Sequence, residues 1–189
     1  METHLNCQIP DSVVDIPNYR VLCNDLTKNS ADKLGGGVMC YIKEDSSASA
    51  YVFELSIEDD VNSTLAECLW FRLLPHVSPR GVSGYIVGTL HHAFWDIAHE
   101  SGLKNYFRKP LDFFKFKCPN DVYPLAGEFN ELNTGFLSNE FQLKQLATPG
   151  KKTLDKIFTN RRDLFSDAFP LPNIGAGMFL SVNLAILEH

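Results

Sequence analysis

Leu125-Ala126-Gly127-Glu128-Phe129-Asn130-Glu131-Leu132-Asn133 is the stretch whose reading decides the fold of this chain. The residues from Asp121 to Gly127 read as a short strand ending in a glycine, and Glu128 and Asn130 follow as turn residues. Working back from this point, Gly84 to Leu90 has the continuous apolar character of a strand buried on both faces. Working forward, Leu154 to Asn160 reads as another strand. Further out, strands rich in β-formers are expected at Glu67–Leu73, Ala50–Leu55 and Val38–Lys43, the last entered from a turn at Leu34-Gly35-Gly36-Gly37. Ile16 to Leu22 reads as a turn entering a short strand, and Gly177 to Leu187 as the final one. Phe94 to Phe116 has helical spacing with a break at Pro110, so one or two helices are expected there. Phe141 to Ala147 suits a helical turn or two, closed by Pro149-Gly150. Strands with helices between some of them imply an α/β or α+β sandwich.

Composition narrows the classes. The 189 residues suffice for one domain with a sizeable core, and no linker or composition shift divides residues 1–189. No apolar run is long enough for a transmembrane helix, and Met1 to Asn6 lacks a basic region followed by an apolar one, so neither a membrane span nor a signal peptide is expected. The closing Leu187-Glu188-His189 suits either a natural end or the stub of a tag. Five cysteines (Cys7, Cys23, Cys40, Cys68 and Cys118) are odd in number and contain no Cys-x-x-Cys. That argues against a disulfide framework and a structural zinc site, and for reduced thiols in an intracellular setting, nuclear or cytoplasmic. The net charge of −6 is a poor start for gripping phosphates with basic patches. A metal-dependent nuclease can instead let its cation meet the phosphate.

Five stretches, in order, resemble the endonuclease/exonuclease/phosphatase superfamily with its DNase-I-like fold. More narrowly they are similar to the endonuclease domain that precedes the reverse transcriptase of non-LTR retrotransposons. Leu34 to Lys43 looks like that family's "GGGV-x-x-Y-[VI]-K", Leu125 to Asn133 like "AGDFN-x-L", and Thr153 to Asn160 like "TLD-x-[IV]-x-TN". Glu67-Cys68-Leu69-Trp70 fits "E-x-[IL]-W", and Glu2-Thr3-His4-Leu5 fits "ETWL". The resemblance implies an α+β fold, a four-layer αββα sandwich, incomplete at its N-terminus because the family's first strands precede "ETWL". It also implies Mg²⁺-assisted attack of water on a phosphodiester of DNA.

Carried over residue by residue, the resemblance makes Glu2 the metal ligand, an ionised carboxylate being the hard donor Mg²⁺ prefers. Glu128 stands where the family has the aspartate that orients water; its extra methylene displaces the carboxylate, and an ångström of misplacement can cost about a hundredfold in rate. Asn130 matches the motif's asparagine, whose amide would hold a phosphate oxygen. Asp155 matches the aspartate that braces a catalytic histidine. Asn160, closing the same motif, and His91, which agrees with the family's "YHP", are the expected substrate contacts, whereas Leu90 stands at that motif's tyrosine. The family's terminal Ser-Asp-His falls on Gly177, Met178 and Phe179, which can neither accept a proton nor present a charge.

Two other constellations were weighed. His91, His92, Asp96 and His99 would suit a metal site on a helix, but the resemblance puts them in a strand-to-loop segment. Gly150-Lys151-Lys152-Thr153 lacks the leading glycine of a phosphate loop, Gln145 standing in its place. The basic run from Lys151-Lys152 to Arg161-Arg162 suits either a phosphate contact or a solvated strand end. The function expected is therefore a retrotransposon-type Mg²⁺-dependent DNA endonuclease domain with impaired or absent catalysis and weak or no metal binding. The alternative is a non-catalytic module of the same fold that binds nucleic acid or protein. Loss of the first strands would uncover apolar edges, so self-association is also expected.

Overall fold

Parallel pairing of Tyr85–His91 with Leu125–Glu128 organises the molecule. The computed structural model describes residues 15–24, 38–44, 51–55, 67–92, 100–130, 132–146, 155–167, 169–174 and 177–181. In chain order the strands are β1 (Tyr19–Asn24), β2 (Val38–Lys43), β3 (Tyr51–Glu54), β4 (Glu67–Leu74), β5 (Tyr85–His91), β6 (Leu125–Glu128), β7 (Lys144–Gln145), β8 (Asp155–Thr159), β9 (Phe169–Ile174) and β10 (Gly177–Ser181). Two helices, α1 (Glu100–Lys117) and α2 (Gly135–Phe141), lie between β5 and β7. A six-stranded sheet has the order β3-β4-β5-β6-β8-β7, antiparallel throughout except at the β5–β6 step. Parallel neighbours cannot be joined by a hairpin, and α1 lies in the crossover between them. The architecture is α+β.

The pleat sorts the central strands onto two faces. On one face Trp70, Ile86, Leu90, Leu125 and Phe158 form a core with Leu103, Phe107 and Phe114 of α1 and Leu137 of α2. On the other, Leu69 and Phe71 meet Leu22 and Val38 of the β1–β2 hairpin. The hairpin is also tied down by the Asn24 side-chain amide, which donates to the Cys68 carbonyl at 2.7 Å. Among the described residues the sheet is thus covered by helices on one side and by a two-stranded ribbon on the other. Its entry is a tight turn: Pro17 is followed by Asn18 at φ 68°, and Tyr19 N–H donates to Ile16 O at 3.0 Å. β9 and β10 pair with each other as a separate antiparallel hairpin.

Three expectations change. α1 runs unbroken through Pro110, which is buried. A proline inside a helix costs about 3 kcal/mol. The buried anchors Leu103, Phe107, Leu111 and Phe114, on both sides of it, contribute about 1.5–3 kcal/mol each and outweigh that cost. The segment from Phe141 is no helix: α2 ends there, Gln142 turns left-handed at φ 59°, and Leu143 N–H donates back to Leu137 O at 3.0 Å. β7 follows, pairing Lys144 with Thr159. Third, the strand expected over Asp121–Gly127 is β6, Leu125–Glu128, so Glu128 is a strand residue and not a turn residue. β9 accommodates Pro170 and Pro172 in a two-stranded ribbon. The Leu34–Gly37 turn lies outside the described residues.

Candidate functional site

His91, Glu128 and Asp155 stand abreast. In the sheet register His91 is the Cα partner of Glu128, and Glu128 is the partner of Asp155. Alternation along the strands puts all three on the face away from the helices, since Leu90, Leu125 and Phe158 point into the helix-side core. The row lies at the carboxyl ends of β5 and β6 and the amino end of β8. His91 Nε2 is 3.8 Å from Glu128 Oε2, the imidazole buried and the carboxylate partly open. Glu67 continues the same line on β4 as the register partner of His91.

Glycine at 127 is what lets β6 approach β5 so closely. A Cβ there would lie 1.9 Å from Leu90 O, and its φ of 151° is one that L side chains rarely adopt. Phe129 then locks the loop into the core, fully buried, with its ring centroid 5.3 Å from Phe158 and 6.3 Å from Phe107. Glu128 and Asn130 are held on either side of this anchor.

Asn130 is only 6% exposed and has a left-handed backbone, φ 47°, a conformation asparagine tolerates. Its amide nitrogen donates to the His92 carbonyl. Swapping its oxygen and nitrogen would set two acceptors against each other, so the assignment is fixed by chemistry. That leaves Asn130 Oδ1 buried with no hydrogen-bond partner among the described residues. The atom awaiting a partner is therefore an acceptor, suited to a donor or a cation and not to a phosphate oxygen.

Asp155 is half-buried, and desolvation raises its carboxyl above the ordinary aspartate range. Asn160 is not part of this group. It follows the far end of β8, on the order of 15 Å away at about 3.3 Å per strand residue. There its side chain accepts from Tyr123 N–H at 2.8 Å and donates to Asp121 O at 3.2 Å. Its amide pins the turn that leads into β6. Leu90, at the family's tyrosine position, has no exposed surface and belongs to the helix-side core. Of the six residues singled out in the sequence, the structure brings together Glu128, Asn130, Asp155 and His91. Glu2 lies outside the described residues, as do Asp96, His99, Lys151 and Lys152. Gly177, Met178 and Phe179 fall in β10.

Of the basic run, Arg161 forms a salt bridge with Asp163 at 2.7 Å and Arg162 pairs with Asp167, so both described arginines are paired with acids. A further pair was missed by sequence reasoning. The Asp121 carboxylate, 1% exposed, is held by the Arg72 guanidinium through two hydrogen bonds of 2.7 and 3.1 Å. This bond raises the Arg72 pKa and fixes β4 against the turn before β6. Nothing in local pattern links two positions so far apart in the chain.

No model of a known protein family matches the chain, and no curated protein matches it either. Among the described residues no helix is long and apolar enough to cross a membrane.

Proposed function

We propose that this chain is an endonuclease-derived domain of the retrotransposon type, with the DNase-I-like four-layer αββα architecture, in which phosphodiester hydrolysis is impaired or lost. The observation that carries the reading is the register row. Glu128 and Asp155, matched to the family from two separate motifs, turn out to be direct neighbours on one face, with His91 beside them and Asn130 just beyond. The ribbon and the helices on opposite faces of the sheet account for three of the four layers the reading requires.

Impairment follows from what the row contains. Glu128 and Asp155 offer the hard oxygens that Mg²⁺ prefers. Yet among the described residues no three His, Cys, Asp or Glu side chains converge to hold a metal ion. Desolvation of Asp155 disfavours its charged form. Glu128 and Asp155 supply two carboxylates, and Glu2, the metal ligand the resemblance expects, lies outside the described residues. The chain's own groups can orient a bound molecule: the Glu128 carboxylate accepts from a hydroxyl or water, and Asn130 Oδ1 accepts a further hydrogen bond. With Met178 and Phe179 at the positions of the terminal acid and histidine, the remaining residues lack the full acid–base set.

The test is nicking of supercoiled plasmid in Mg²⁺ by purified protein. Activity should stay at background, and single reversions such as Phe179→His should not restore it, because groups that act as a unit are strongly non-additive. Nicking that is lost on Glu128→Ala would show a working enzyme and overturn the impaired reading.

A further inference from the structure

At the other end of the sheet, away from the acid row, the last turns of α1, the α2–β7 turn and Asn160 enclose a cleft of about 400 Å³. The volume lies in the range of small-molecule sites, about 300–1,000 Å³. Its walls divide by chemistry. Leu111, Phe141 and Leu143 supply a buried apolar side, and Lys115 and Lys144 stand exposed at the rim. Among the described residues no acidic side chain lines it. Neither ammonium group makes a salt bridge among the described residues; Asp163, whose charge feels Lys144, is already held by Arg161. Two exposed lysines lining one pocket stand out in a chain whose net charge is −6.

The polar part of the wall is fixed before anything binds. Asn160 is held by the backbone at Tyr123 and Asp121. The Tyr123 hydroxyl donates to Phe114 O at 3.0 Å and also contacts Cys118 O. The carbonyls at the end of α1 would repel an anion. Lys115 and Lys117, in the same last turn, offset that negative end. An apolar floor with a cationic rim selects a molecule that is apolar at one end and negatively charged at the other. We propose that this cleft binds a small organic anion with an apolar body, of the aryl or alkyl carboxylate class, with its carboxylate between Lys115 and Lys144. The proposal is independent of the nuclease-derived reading, since no residue of the acid row lines the cleft.

The experiment is calorimetric titration of the full chain with naphthoate and with its uncharged analogue naphthamide at low salt. Saturable naphthoate binding is expected, about tenfold weaker in Lys115→Glu and in Lys144→Glu, since loss of a charge-assisted contact is worth about that factor. Both lysines are exposed, so melting temperatures should be unchanged. Lys117→Glu, on the same helix but outside the cleft, should bind as the parent does. Naphthamide should bind at least about tenfold more weakly than naphthoate. Equal affinity for acid and amide would make the cleft a plain apolar groove and overturn the proposal. So would affinity untouched by either charge reversal, or no binding at all.

Discussion

Asp155 keeps a carboxylate where solvent only half reaches it, and burial makes it hold its proton more tightly than a free aspartate. A carboxyl whose folded pKa is raised favours the folded state when protonated. That contribution is present below the unfolded value of about 3.9 and is lost as pH rises through the folded value. Asp155→Asn should therefore raise the melting temperature at neutral pH, and the gap should close as pH falls below the ordinary aspartate range. Melts of both proteins across that range check this, and a parent at least as stable as the variant at neutral pH would contradict it. Gly127 is constrained differently. Gly127→Ala forces a Cβ to within 1.9 Å of Leu90 O, so one strand must move. The expected cost is about 3 kcal/mol or more, read from the urea midpoint. The sequence reads this glycine as the end of a strand, but β6 runs on to Glu128. The steric reason for the glycine, β5 lying alongside, was not legible, because the partner strand is remote in the chain.

At the scale of elements, local pattern served well where one strand owns its pattern. The strands at Val38–Lys43, Glu67–Leu74 and Tyr85–His91 match their expected positions to within a residue or so. It served poorly where neighbours decide. Pro110 argues for a break, yet the buried anchors of α1 override it. Leu143 and Leu146 suit one face of a helix as well as they suit the flanks of β7, and the left-handed Gln142 decides between the two. The candidate site divides in the same way. Motifs pointed to Glu128 and Asp155, but their adjacency to each other and to His91 is a property of register, which no single segment encodes. α1 offers a direct test of how an element is fastened. The Phe114 carbonyl in its last turn and the Cys118 carbonyl just beyond its end are engaged by the Tyr123 hydroxyl, whose pKa is pushed up chiefly by burial. Tyr123→Phe keeps the ring and removes the hydroxyl, so it should cost about 1–2 kcal/mol of global stability. Hydrogen exchange should speed up in the last turn of α1 more than in its middle, and uniform acceleration along the helix would argue against this fastening.

For the whole molecule, the two outer strands of the six-stranded sheet differ in a way that bears on solubility. β7 is two residues long and carries Lys144, which discourages pairing with another chain. β3 exposes Tyr51 at 66% and Phe53 at 51%, and among the described residues β4 is its one partner in the sheet. Self-association through β3 is the expected outcome at high concentration. Phe53→Lys should shift sedimentation profiles toward monomer without lowering the melting temperature, and an unchanged profile would rule this edge out as the contact. The parallel pairing of β5 with β6 also sets a timetable for assembly. Hairpins close as soon as their two arms exist, but His91 cannot meet Glu128 until α1 has crossed over and delivered β6, and Asp155 arrives later still on β8. During synthesis from the amino end, the acid row therefore cannot exist until the chain has been made beyond position 155. It forms after the local hairpins rather than before them, so a probe placed between Glu128 and Asp155 would stay silent until β8 has docked.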